Sequence, residues 1–150
     1  MKYISADEFL KQDKEIQKVF LDWWKENVKQ YDLFYRNFKG KRQKYIVIKS
    51  EGYELETLTL RNKKISAGRD AWTECWNIKC IWDIVPLLTE VNLIKFIENN
   101  DFKILEILRG KYTDKWYIKI SKNNEFDIRN FEGFESLLES LWKVASEIVN

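Results

Sequence analysis

Apolar and polar residues alternate along this 150-residue chain with two different periods, and the switches between them mark out its elements. Between residues 5 and 29, Phe9, Ile16, Val19, Phe20, Trp23 and Trp24 recur at steps of about three, four and seven among Asp, Glu, Lys and Gln. That spacing predicts one amphipathic helix, which Ser5 or Asp7 would cap by accepting from the free amides of its first turn. Residues 30–44 lose the period, crowd aromatic rings together and end in basic residues around Gly40, so they read as an irregular loop. Residues 45–49 and 53–60 are rich in β-formers and flank Ser50-Glu51-Gly52, a hairpin signal, with 61–64 as its polar end. From 72 to 84 the even positions Trp72, Trp76, Ile78, Cys80, Trp82 and Ile84 are apolar, which predicts a strand that Glu74 interrupts.

Pro86 closes that run, and Thr89 begins a helix over 90–99 in which Leu88 and Leu93 can form a hydrophobic staple. Three strands follow at 102–108, 115–121 and 125–131, separated by turns at Gly110-Lys111 and Lys122-Asn123-Asn124. In the middle strand Trp116, Ile118 and Ile120 alternate with Lys115, Tyr117, Lys119 and Ser121, giving one buried and one wet face. After Gly133, residues Phe134, Leu137, Leu138, Leu141, Ala145 and Ile148 trace a final helical stripe. The expected fold class is α+β, with antiparallel strands covered by N-terminal, central and C-terminal amphipathic helices. One domain is expected over 1–150, made of a helix-and-hairpin part (1–84) and a helix, three-strand and helix part (85–150).

Composition narrows the chemistry. At 45% hydrophobic and 33% charged residues, with five Gly and one Pro, the chain is expected to fold, and a formal charge of +2 advertises no polyanion for the molecule as a whole. The absence of His excludes a Ser-His-Asp triad, a Cys-His pair and any histidine metal site within this chain. Two Cys are too few for a thiolate-only zinc site, so no metal is expected. Cys75 and Cys80, five apart, would point to opposite faces of a strand and are read as reduced. The glycines stand singly at 40, 52, 68, 110 and 133, so no phosphate loop or dinucleotide fingerprint is present and no cofactor is expected. Glu135, Glu139 and Glu147 read as solvated helix positions, and no spacing of carboxylates singles out a metal-dependent nuclease. MKYISADEFL lacks the apolar run of a signal peptide and no stretch approaches about 20 apolar residues, so a cytoplasmic protein away from membranes is expected.

The segment 29–45 stands out. It sets Lys29, Arg36, Lys39, Lys41, Arg42 and Lys44 against Asp32 alone, a local charge of +5, and intersperses Tyr31, Phe34, Tyr35 and Phe38. Cations engage phosphates and rings stack on unpaired bases, so the segment is the best nucleic-acid candidate in the chain. Alternatively, the rings tie a loop to the core while the cations stay solvated. Adjacent Trp23 and Trp24 lie about 100° apart on a helix, so one of them is expected at the rim of the buried face. The candidate partner-binding set is therefore Trp24, Tyr31, Phe34, Tyr35, Arg36, Lys39, Lys41, Arg42 and Lys44. Residues 122–150 carry a net −3, which makes the chain electrically lopsided.

Read together, FLDWWKENVKQYDLF at 20–34, IVPLLTEVNLIKFIE at 84–98 and LLESLWKVASEIV at 137–149 resemble small proteins encoded by phages and prophages of low-GC Gram-positive bacteria. The last third is similar to a helix-sheet-helix domain common in phage proteins. The resemblance implies an accessory role and supplies no catalytic residue. It implies a non-enzymatic factor that binds and inhibits or modulates a host protein, in the manner of an anti-defence or anti-CRISPR protein, inside the bacterial host. The partner would be a host protein complex, one that can itself carry nucleic acid. Two other readings stay open: a nucleic-acid-binding module using 29–45, and a protein that sequesters a nucleotide signal in a pocket.

Overall fold

The computed structural model describes residues 2–38, 40–60, 73–77, 83–123 and 126–150. In chain order these form α1 (Ala6–Leu10), α2 (Lys14–Asn27), β1 (Leu33–Phe38), β2 (Lys41–Glu51), β3 (Glu54–Leu60), β4 (Thr73–Asn77), β5 (Ile84–Pro86), α3 (Glu90–Asn99), β6 (Phe102–Arg109), β7 (Trp116–Lys122), β8 (Ile128–Phe134) and α4 (Leu137–Ile148). The fold class is α+β, with two antiparallel sheets. The chain divides into two compact units, one spanning Ser5–Leu87 and the other joining Met1–Ile4 to Leu88–Asn150.

In the Ser5–Leu87 unit the sheet order is β4-β3-β2-β1-β5. The single helix expected over 5–29 is two helices. Ser5 caps α1, its hydroxyl accepting from the Glu8 amide at 3.1 Å, and α1 gives way at Lys11 before α2 starts beyond Asp13. Gln17 bridges the break, its buried amide donating to the carbonyls of Leu10 (3.2 Å) and Gln12 (2.7 Å), which the interrupted helix leaves without its regular bonds. Phe9 still meets Phe20 edge-on, at 6.3 Å between ring centroids. Ile16, Phe20 and Trp24 form the buried stripe of α2, and Trp24 lies edge-on to Phe34, which stacks on Tyr45 at 5.2 Å.

The irregular loop expected over 30–44 is instead a β-hairpin: β1 pairs with β2 from Leu33↔Ile46 to Phe38↔Lys41, and Gly40 turns it at φ +74°. Its alternation is hidden because Arg36, on the same side as buried Phe34, is a charged residue at an inward position. Asp83, 47 residues away, receives that charge at 2.8 Å and 3.1 Å. The second expected hairpin is present as β2 and β3 with Gly52 in its turn, and β2 bulges between Val47 and Lys49. Of the strand expected over 72–84, Thr73–Asn77 and Ile84–Pro86 are strands, whereas Trp72, Ile78, Cys80 and Trp82 lie outside the described residues, as does the pairing of the two cysteines. Pro86 is the last residue of β5, opposite Phe34.

In the other unit, Thr89 caps α3 in a reciprocal box with Asn92, whose side-chain oxygen accepts from the Thr89 amide at 2.9 Å. Leu88 and Leu93, the expected staple, are both fully buried. The sheet order is β6-β7-β8, and Ile118 and Ile120 of β7 are buried as the alternation requires. The third strand begins at Ile128, later than expected. Only Phe131 of its residues is buried, opposite Ile118, so β8 carries little periodic signal of its own. Ser136 caps α4, and Leu141, Trp142, Val144 and Ala145 pack its inner face. No helix among the described residues is long and apolar enough to cross a membrane.

Candidate interaction surface

The hairpin of β1 and β2 sorts the candidate residues by parity, since neighbours in a strand point to opposite faces of the sheet. One face carries Phe34, Tyr45 and Val47, all fully buried or nearly so, and it is the core. Trp24 and Phe34, expected at the partner surface, are corrected here: at 1% and 0% exposure they are core residues and offer a partner no surface. Of the Trp pair it is Trp23 that is half-exposed, as the broad helical stripe of α2 is centred on Trp24.

The opposite face carries Leu33 and Tyr35 from β1, Arg42, Lys44 and Ile46 from β2, and Leu58 from β3. Tyr35 sits across from Lys44, and both the Lys44 ammonium (5.7 Å from the ring centroid) and the Arg42 guanidinium (5.8 Å) lie over its ring. Such contacts contribute about 0.5–1 kcal/mol each at exposed sites and hold both cations in place. Arg42 also donates to Asp7 of α1 at 3.2 Å, an exposed pair that adds little stability yet restricts where the guanidinium points. Next along the strands comes an apolar row, Leu33↔Ile46↔Leu58, each half-buried.

Sequence reasoning misses this row and the two acidic partners, Asp7 and Asp83. The row is legible in principle from Leu33 and Tyr35 alternating with Phe34 and Arg36. The remaining candidates scatter. Arg36 points to the core side and is tied to Asp83, Lys41 is exposed beside the hairpin turn, Tyr31 is 70% exposed in the turn before β1, and Lys39 lies outside the described residues. Tyr35, Arg42 and Lys44 are the members of the expected set that come together.

Tyr31 has φ +74°, a left-handed conformation unusual for a bulky residue. Its amide donates to the Val47 carbonyl at 2.7 Å, and the turn is closed by the Lys29 amide donating to the Asp32 carboxylate at 2.8 Å. Beside this turn and the β2 bulge is an open groove of about 350 Å³ lined by Val28, Lys29, Gln30, Ile48, Lys49 and Ser50. It lies at the carbonyl end of α2, where the helix dipole favours cations such as the adjacent Lys29. Lys49 is further engaged by Glu51 at 3.0 Å, whose carboxylate raises its pKa above the ordinary lysine value. Among the described residues no group of three or more Cys, Asp or Glu could hold a metal ion. Comparison with protein-family models, with curated proteins and with solved structures gives no match for this chain.

Proposed function

We propose that this protein acts by binding another protein, through the sheet face that carries Tyr35, Arg42 and Lys44 beside Leu33, Ile46 and Leu58. The observation that carries the reading is the juxtaposition on one face of an apolar row and a cation-aromatic row. An apolar strip beside ordered charge is the anatomy of a protein interface, in which the strip gives affinity and the charges give register. Nucleic acid fits the same face less well, because Arg42 already has a carboxylate partner in Asp7 and, among the described residues, Tyr35 is the one stacking ring of the cluster.

The resemblance of residues 20–34, 84–98 and 137–149 to phage-encoded proteins supports a host protein as the partner and a non-catalytic, anti-defence role in the bacterial cytoplasm. The test is affinity purification of the tagged chain from host lysate, with and without nuclease and at low and high salt, in wild-type, Tyr35→Ala and Lys44→Glu forms. A stoichiometric host protein that survives nuclease and salt, and is lost with Tyr35→Ala more than with Lys44→Glu, is expected. Recovery of nucleic acid alone, removed by salt and by Lys44→Glu, would replace this reading with the polymer-binding one.

A further inference from the structure

The second sheet ends on an open edge at β8. β8 pairs with β7 alone, and the Lys122 amide, donating to the Asp127 carbonyl at 3.1 Å, fixes the phase of that ladder. In an antiparallel pair, bonded and unbonded positions alternate, so the next bonded pairs are Ile120↔Arg129 and Ile118↔Phe131. Ile128, Asn130 and Glu132 therefore turn their amides and carbonyls away from β7, and among the described residues nothing bonds to those groups. From Ile128 to Glu132 this row of donors and acceptors runs for about 13 Å. By contrast, β6 bulges between Ile104 and Glu106, and β5 is three residues long and ends in Pro86, devices that blunt an edge. The bulge in β8 comes only at Gly133, φ +89°, beyond the open stretch. The side chains of Ile128, Asn130 and Glu132 lie on the wet face with Ser121, Lys119 and Tyr117. Ile128 is 55% exposed, Phe126 just before it is exposed as well, and Glu132 makes no ion pair among the described residues.

We infer that this edge takes up an extended segment of a partner protein as a fourth strand, antiparallel to β8. The backbone specifies the occupant. A row of alternating donors and acceptors is matched by another strand, whereas a helix has already spent its backbone groups on itself. Antiparallel pairing continues the pattern of this sheet, and it is the more stable of the two per residue. The side chains of β8 then set the chemistry of the segment. Read from its N-terminus, the segment carries a basic residue opposite Glu132, a polar one opposite Asn130 and an apolar one opposite Ile128, at alternate positions. An acidic side chain opposite Glu132 is rejected because like charges would face each other directly. The backbone groups of the free edge are solvated, so each new bond contributes modestly, the affinity is weak and the side chains supply the selectivity. This site belongs to the second sheet and makes no use of Tyr35, so it goes beyond the surface proposed above.

The probe is the end-capped peptide Thr-Lys-Thr-Thr-Thr-Val-Thr, whose Lys, central Thr and Val fall opposite Glu132, Asn130 and Ile128. It is titrated to about 1 mM into the isotope-labelled full chain and followed by amide NMR signals. Two control peptides are run beside it, one N-methylated at the central Thr and at Val, the other with Glu in place of Lys. The Lys probe is expected to shift the amide signals of Ile128, Asn130 and Glu132. The N-methylated peptide keeps every side chain but loses two donors, so it should bind at least about tenfold more weakly. The Glu peptide should bind about threefold more weakly than the Lys probe, and Glu132→Lys, checked for folding by circular dichroism, should reverse that preference. Absence of any shift at about 1 mM overturns the proposal. So does equal binding of the N-methylated peptide, which would mean that side chains and not the strand edge hold it. Shifts at the same three amides that grow with protein concentration in the absence of peptide would give the edge to a second copy and likewise overturn it. Failure here leaves capture through Tyr35 untouched, and failure of that capture leaves this titration untouched.

Discussion

Two serines on α4 are both buried, and their hydroxyls have opposite fates. Ser140 donates to the carbonyls of Ser136 (3.1 Å) and Leu137 (2.8 Å), whereas the Ser146 hydroxyl, on a residue 6% exposed, has no hydrogen-bond partner among the described residues. Stripping a hydroxyl of water without a replacement bond costs about 1–3 kcal/mol, and that cost vanishes when the oxygen is removed. Alanine also outranks serine as a helix former by roughly 0.5 kcal/mol, while the void left by one oxygen removes a few weak contacts. Ser146→Ala should therefore stabilise the protein by about 1 kcal/mol. Ser140→Ala loses a hydrogen bond of about 0.5–1.5 kcal/mol against the same gain in helix propensity, so it should be neutral or destabilising by up to about 1 kcal/mol. Urea unfolding followed by circular dichroism measures both, and thermal melts should show the same order, with about 2–4 °C per kcal/mol for a chain of this size. Equal destabilisation by the two substitutions would refute the reasoning, because it would mean that Ser146 has a partner in solution.

Three further outcomes follow from local geometry. Phe34→Ala should cost about 3–5 kcal/mol, since its ring is fully buried between Trp24 and Tyr45, whereas Tyr35→Ala should cost far less; a chemical-denaturation series compares the two. Thr89→Ala removes one half of the α3 capping box and should lower stability by about 1 kcal/mol, with Thr89→Ser largely restoring it in the same assay. Gly110→Ala would drive a methyl into the Thr113 hydroxyl and set it 3.1 Å from the Tyr117 ring, so a loss of about 1–3 kcal/mol is expected, together with shifted amide signals in the β6 to β7 turn by NMR.

Much of this architecture is legible in the order of residues. Thr89 three places before Asn92, Ser136 before Leu137, and the alternation through Trp116, Ile118 and Ile120 each express a local rule, with caps satisfying free amides and period two burying one strand face. Such features involve neighbours within a few positions, so the sequence alone determined the α+β class, α3, α4 and the central strand of the second sheet. Tertiary structure decided whatever depends on distant partners. Arg36 can occupy an inward position of β1 because Asp83 comes to meet it, and the break in the 5–29 helix is bridged by Gln17, which pairs the carbonyls there. Neither is visible as periodicity, and so the pattern shows a loop where there is a strand and one helix where there are two. The same holds for the candidate surface. Composition marks 29–45 as unusual, but whether a ring there is core or contact depends on which face of the sheet it takes. Phe34 and Tyr35, adjacent and chemically alike, are separated only when pairing with Tyr45 and Lys44 sends one into the core beneath Trp24 and leaves the other beneath two cations.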